Sequence, residues 1–514
     1  MGTPGFRQVE LPPTFRSMTM AAGIRAAAQR APDKIALIHG KLQRSFGELS
    51  ARIELATRAT VSDLGLQLGQ NAAIVARNCL EYIEVVCGLP EAGVAVATVN
   101  PRYTTTELAA NCDDAEARVI FTDAATAALV RATKFRTVER IIEFGAEYEA
   151  WLQRGRTPVT LPLVDEWDVW TIPYTSGTTG QPKGVLLSHR SRAVLGLGAA
   201  AEFGCFTPDD KYLAMTGMNH GGGLGFPMGI LLSGGTVDMM ERFEPEAVLH
   251  KFKFEGITGV FMVPTHFHQI FALAPEILDK YRHPPLRTII SNAAPLPQAM
   301  KEKIVPYFGA GVLFEIYSST EMGLVTSLRP ADQLRKHSCA GLPHAHTQVR
   351  ILNELGNECA IDEVGELHSR SPWLFNGYWK RPEETATAVR DGWVSVGDMA
   401  RRDAEGYIYI VDRKKDMIIS GGVNIYPREI EEVLAPHPAI AEVSVIGVPD
   451  EQWGERLRAF VVLRRDCALS LDELSGYCRD KLAAYKIPKE LRTVDALPRN
   501  ANGKVLKTDL RTYP

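Results

Sequence analysis

The stretch Tyr174-Thr-Ser-Gly-Thr-Thr-Gly-Gln-Pro-Lys-Gly-Val185 gathers groups that bind anions. Gly177, Gly180 and Gly184 let the backbone come close to a ligand. Thr175, Ser176, Thr178, Thr179 and the backbone N–H groups can donate to phosphate oxygens, and Lys183 adds a full charge. The G-x-x-x-x-G-K-[ST] spacing of a P-loop fails here, because Lys183 follows Pro182 and precedes Gly184. Taken alone, the segment also fits a plain surface loop of Gly and Thr. Further along, Tyr317-Ser-Ser-Thr-Glu321 puts a carboxylate just after an apolar strand, and taken alone it reads as a strand-end turn with a solvated glutamate. Gly392-Trp-Val-Ser-Val-Gly-Asp398 places a carboxylate directly after a glycine. Asp412-Arg-Lys-Lys-Asp416 and Pro498-Arg-Asn-Ala-Asn-Gly-Lys504 add cations, which read singly as solvated surface charge.

The elements that must position these groups show in the hydrophobic pattern. Residues 35–38, 72–76, 94–99 and 118–121 read as short strands separated by helical spacings. Ser45 to Glu48 and Thr104 to Glu107 form capping boxes at helix starts. This alternation predicts a parallel sheet with helices on both faces. A second series follows at 260–264, 288–291 and 312–318. From about residue 347 short alternating strands predict a small antiparallel unit. After Asp412, Pro427 opens a helix, strands fall at 442–447 and 459–463, and Ser470 to Glu473 caps a helix carrying Leu471, Leu474 and Leu482. This tail reads as an α+β domain of its own, with a candidate hinge near 412–416.

The motifs and their order resemble the adenylate-forming superfamily: acyl-CoA synthetases, aryl-CoA ligases, luciferases and peptide-synthetase adenylation domains. The resemblance implies an α/β chain with a large N-terminal domain over 1–412, built of two parallel-sheet subdomains and a small β-barrel-like unit. A hinge at 413–416 and a smaller, mobile α+β domain over 417–514 would follow. It implies that Thr175, Ser176, Gly177, Thr178, Thr179, Gly180 and Lys183 hold the phosphates of ATP. Ala293 and Ala294, in Ser291-Asn-Ala-Ala-Pro295, would line the adenine pocket together with Tyr317, Ser318 and Ser319, while Thr320 would contact phosphate. Ser318 stands where the family more usually has glycine, and Val396 interrupts the usual text before Asp398. Glu321 would hold Mg²⁺, Asp398 the ribose hydroxyls, and Arg413 ribose or phosphate, with Lys415 at the hinge. Lys504 would be the catalytic lysine, offsetting the repulsion between a carboxylate and the α-phosphate. His220, in Met218-Asn-His-Gly-Gly-Gly223, would sit near the acid's carboxylate, and the glycines after it either leave room for a bulky acid or form a flexible turn. Residues 263–269 resemble a segment beside the acyl tunnel, although packing accounts more simply for His266 and His268. Gly421 and Gly422 would line the pantetheine tunnel, and Trp453, Tyr485 and Lys489 would meet the nucleotide end of coenzyme A.

The implied function is an ATP-dependent, AMP-forming acid:CoA ligase, with ATP, Mg²⁺ and coenzyme A as its small molecules and a fatty or aromatic acid as its substrate. An acyl-AMP ligase that loads a carrier protein in trans is a second reading, and a non-catalytic nucleotide-binding protein of the same fold a third. A net charge of −4 over 514 residues argues against a nucleic-acid partner. No apolar stretch is long and unbroken enough to span a bilayer. Eight dilute cysteines without a CxxC pair and an opening MGTPGFRQVE without an apolar region lead to the expectation of a cytoplasmic protein. The histidines and cysteine around 337–346 lack metal-site spacing. The oligomeric state stays open, a homodimer being only a common outcome.

Overall fold

A computed structural model describes residues 18–176, 182–499 and 505–513. The chain divides into two compact units, one of residues 1–348 with 370–394 and the other of 349–369 with 395–514.

The first unit contains two mainly parallel sheets. In one, Arg140–Glu143, Ala117–Thr122, Asn71–Val75, Ala95–Thr98 and Val169–Ser176 lie side by side in that order, all parallel, and Pro182–Gly184 and Leu187–Ser188 pair antiparallel to the last of them. Asn71–Val75 and Ala95–Thr98 are buried at every position, as strands covered by helices on both faces must be. Both capping boxes form, so Ser45 and Thr104 start the helices Phe46–Ser62 and Thr105–Asp114.

The second sheet runs Leu342–Pro343, Gly323–Leu328, Leu313–Ser319, Thr288–Ser291, Gly259–Met262, Lys211–Ala214, Thr236–Met239, Ile35–His39 and Leu42–Ser45. Its central strands are parallel and its margins antiparallel. Ile35–His39 departs from the sequence rhythm: it joins this sheet, with Leu37 opposite Val237, rather than the sheet of the strands that follow it. The nearby helix Ala22–Arg30 packs there too, with Gly23 so close to Leu232 that a Cβ would stand 2.7 Å from the Leu232 side chain. Such a pairing leaves no mark in a local pattern. Val263 and Pro264, read as strand, instead cap and open the helix Pro264–Phe271.

In the second unit Asp398–Arg402 pairs antiparallel with Ile408–Arg413 and with Gly365–Arg370. Ile418–Ser420, Val423–Ile425, Gly454–Leu463 and Ile440–Asp450 form a further sheet, with Glu490–Thr493 parallel to Gly454–Leu463. Ile418, Ile430, Leu434, Val445, Leu457 and Leu474 fill its core. Asp412 lies in the Ile408–Arg413 ladder, and its carboxylate accepts from the N–H of Arg428 at 2.9 Å, at the start of helix Pro427–Leu434. Ser470 caps the next helix as expected, but that helix ends at Cys478 and leaves Leu482 beyond it. Among the described residues no helix is long and apolar enough to cross a membrane.

Candidate active site

The strands of the second sheet bring two of the motifs to one edge. Thr288–Ser291 and Leu313–Ser319 are adjacent and parallel, so Asn292–Pro295 and Thr320–Glu321 both leave the carboxyl ends of their strands, where ligands bind in α/β sheets. The Asn292 amide donates to Ser318 Oγ at 2.6 Å, so the serine that replaces a more usual glycine ties the two stretches together. Ala293 holds φ +74°, an uncommon conformation for a residue with a Cβ. Ser319 Oγ accepts from Met322 N–H at 3.0 Å, which closes the turn around Glu321.

Beneath this edge lies a buried ion pair absent from any motif. Lys301, 1% exposed in its side chain, pairs with Glu315, which also accepts the N–H of Leu296 at 3.1 Å. The pair fixes the segment after Ala294 to the strand that carries Tyr317. Lys301→Met is expected to destabilise the protein by about 3–5 kcal/mol, because the carboxylate is left buried without its cation. Chemical denaturation of the variant checks this.

Glu321 is buried. Its carboxylate accepts from the hydroxyl of Tyr378 at 2.9 Å and its backbone oxygen accepts from Phe375 N–H at 2.9 Å. Burial and the neighbouring Glu321 charge push the Tyr378 phenol well above its usual range, so it remains a donor. Arg192 feels the charge of the same carboxylate: burial pulls its guanidinium down to about 10, against the opposing attraction of Glu321. One of its Nη atoms donates to the backbone oxygen of Trp373 at 2.8 Å.

On the neighbouring sheet, Val169–Ser176 leads into the anion-binding stretch. Tyr174 donates to Asp114 Oδ2 at 2.8 Å, and Thr175 lies opposite Lys183 in the antiparallel pair. Gly184 passes so near Ile172 that a Cβ would stand 2.8 Å from its side chain, so this position requires glycine. Lys183 Nζ lies 2.5 Å from Glu384 and 5.3 Å from the ring centroid of Tyr378. Gly177, Thr178, Thr179 and Gly180 lie outside the described residues.

Nothing in the local sequence singles out Tyr378 and Glu384 beyond their place in Gly377-Tyr-Trp-Lys-Arg-Pro-Glu-Glu384, whose Gly and Pro mark a turn into a helix. The backbone N–H of Trp379 donates to Gly184 O at 2.8 Å and that of Leu186 to Gly377 O at 2.9 Å. This segment therefore reaches both Lys183 and Glu321.

His220 precedes the helix Gly221–Ser233, with Nε2 3.0 Å from the Asn219 amide nitrogen. Burial, assisted by Arg102, lowers its pKa, which favours the neutral imidazole. His266 stacks on Phe243 at 4.3 Å and accepts the N–H of Val263, a packing and capping role. Burial pulls His266 down to about 4.

In the second unit Asp398 and Arg413 face each other across the antiparallel pair, with Arg413 Nε 3.3 Å from the carboxylate. Lys415 lies in the 3₁₀ turn Lys414–Asp416, its pKa lowered by burial. Gly421 and Gly422 hold φ +58° and +77° in the turn between Ile418–Ser420 and Val423–Ile425. Gly421 donates its N–H to Trp453 O at 2.8 Å, and a Cβ there would lie 2.9 Å from the indole. Trp453 and Tyr485 are exposed, and Lys489 Nζ reaches Ala484 O at 3.5 Å. Lys504 lies outside the described residues; on either side of its segment Arg499 and Val505 form a β-bridge.

Among known proteins, residues 24–379 match the AMP-binding enzyme family and residues 429–504 its C-terminal domain. The chain belongs to this family of adenylate-forming enzymes, in its acyl-CoA ligase branch. It is 34% identical to a feruloyl-CoA synthase of an Amycolatopsis species, over 94% of this chain and 96% of the relative. It is 32% identical to a long-chain-fatty-acid–CoA ligase of Bacillus subtilis, over 98% and 95%. Its fold matches the O-succinylbenzoate coenzyme A synthetase of Bacillus subtilis in complex with ATP and a magnesium ion, with TM-score 0.83 and 29% identity over 95% of this chain and 98% of that one.

Proposed function

We propose that this protein is an ATP-dependent, AMP-forming acid:CoA ligase whose substrate is a fatty or aromatic carboxylic acid. The observation that carries the reading is the buried Glu321 carboxylate, linked through Tyr378 to Lys183 beside the phosphate stretch. A hard oxygen donor and an ammonium in one cluster suit a metal-bound polyphosphate. Glu321 fits Mg²⁺, since its oxygens are the donor type that ion takes; bound there, the ion would neutralise phosphate charge.

In the first step the acid's carboxylate oxygen attacks the α-phosphorus of ATP. An acyl–phosphate bond forms and the bond to pyrophosphate breaks. Lys183 and the hydroxyls of Thr175, Ser176, Thr178 and Thr179 hold the departing phosphates, Asp398 the ribose, Arg413 the ribose or phosphate, and Ala293, Ala294 and Tyr317–Ser319 the adenine. Lys504 offsets the charge that gathers as carboxylate and phosphate meet. His220, neutral, flanks the carboxylate without adding charge. In the second step the coenzyme A thiol, as thiolate, attacks the acyl carbon and AMP leaves. Residues 413–416, with Lys415, serve as the hinge of the smaller α+β domain, Gly421 and Gly422 pass the pantetheine, and Trp453, Tyr485 and Lys489 meet its nucleotide.

Room for a bulky acid is supported beside His220. Gly221 and Gly225 have nothing within 4 Å of where a Cβ would stand, so one helix face is bare for a full turn. The names of the relatives support the same two acid classes. A panel of fatty, aromatic and short acids, each with ATP, Mg²⁺ and coenzyme A, tests the reading. AMP release that requires coenzyme A and favours the bulkier acids is expected. AMP release that ignores coenzyme A but responds to an acyl-carrier protein would move the assignment to carrier loading.

Tyr378→Phe removes the hydroxyl that orients Glu321 but keeps the ring under Lys183. Losing such an outer partner is expected to weaken Mg²⁺ affinity about tenfold. Titrating Mg²⁺ against nucleotide binding, without acid or coenzyme A, measures it.

A further inference from the structure

Lys183 does not wait for phosphate as a bare cation. Its ammonium lies 2.5 Å from Glu384, and its side chain is only 12% exposed, against 37% for the glutamate. The face of Tyr378 lies 5.3 Å away. This is no chance meeting of surface chains, because the backbone holds the two sides in place. Trp379 N–H donates to Gly184 O at 2.8 Å, next to Lys183, and Asn376 N–H to Leu186 O at 2.8 Å. Gly377 takes φ +119°, and Tyr378 N–H donates to Thr385 Oγ1 at 2.9 Å, which sets the helix Pro382–Ala388 and hence Glu384.

We propose that Glu384 is an internal stand-in for nucleotide phosphate: its carboxylate holds the Lys183 ammonium in the nucleotide-free enzyme and gives it up to the β- and γ-phosphates of ATP. The inference rests on the reading of Lys183 as a phosphate ligand. A largely buried ammonium needs an anion, since unpaired charge away from water is costly. The carboxylate is the more exposed partner, so it can return to water when a more highly charged group arrives. ATP binding must therefore break an existing ion pair, whereas AMP, which has no β- or γ-phosphate, leaves it intact. Glu384 acts through Lys183 and is a positioning residue.

Calorimetric titration of the full-length protein with Mg²⁺-ATP and, separately, with AMP tests this on the unmodified protein, E384Q, K183A and the double variant. Glutamine keeps the shape but loses the charge, so E384Q is expected to bind ATP on the order of tenfold more tightly. Its AMP affinity is expected to be unchanged, which also shows that the variant is folded. In the K183A background E384Q is expected to have no effect on ATP. Unchanged or weaker ATP binding by E384Q, an equal change for AMP, or an effect that survives the loss of Lys183 overturns the proposal. If K183A alone leaves ATP affinity intact, the assignment of Lys183 to phosphate falls, and this outcome is distinct from a failure of Glu384 alone.

Discussion

Lys504→Ala is expected to lower acid-dependent exchange of pyrophosphate into ATP by about 10²–10³-fold, the cost of losing one preorganised charge at a crowded transition state. The carboxylate and the α-phosphate are both anionic, and their approach is the step that most needs a cation. The second step lacks that repulsion on the same scale, because the acyl carbon of the mixed anhydride is electrophilic. Acyl-adenylate supplied ready-made should therefore still be converted to thioester by the variant at near the normal rate. Equal damage to both half-reactions would mean that Lys504 serves folding or general binding. Full exchange activity in the variant would remove it from the mechanism.

The second large effect is expected at Glu321. Glu321→Gln keeps the side-chain volume and can still accept from Tyr378, but loses the negative charge that a divalent ion needs. Adenylation kcat/KM at fixed Mg²⁺ should fall on the order of 100-fold, with partial recovery as Mg²⁺ is raised. Recovery is the informative part: a purely structural role would lower activity without moving the Mg²⁺ dependence. The surroundings make this variant a fair test. Tyr378 donates to the carboxylate and Arg192 feels its charge, and both are also held elsewhere, since Arg192 donates to Trp373 O and Tyr378 N–H to Thr385.

Much of this site is legible in the sequence because its chemistry needs particular residues in short runs. Ser45 and Thr104 announce their helices because a capping box is a four-residue event. The strands before Asn292 and Thr320 show as apolar runs because both of their faces are covered. Other features are set by partners far away in the chain. The strands Lys211–Ala214 and Thr236–Met239 carry Lys211, Thr236 and Asp238 among their four residues each and so show no apolar run, and Ile35–His39 chooses a partner about 200 residues distant. The roles of Tyr378 and Glu384 follow from the hydrogen bonds of 376–379 to Gly184 and Leu186, a pairing with no local signature. Lys301 stands among Glu302 and Lys303 in the helix Gln298–Phe308, and only its burial against Glu315 sets it apart. Nor does the charged cluster 412–416 announce that Asp412 pairs with Met399 in its ladder and accepts the N–H of Arg428.

The central claim is that a carboxylate oxygen becomes bonded to the α-phosphorus and stays with it. An acid labelled with oxygen-18 in its carboxylate, turned over with ATP and coenzyme A, should give AMP carrying one labelled oxygen for each thioester formed, by mass spectrometry. Thioester formed alongside unlabelled AMP would contradict the account.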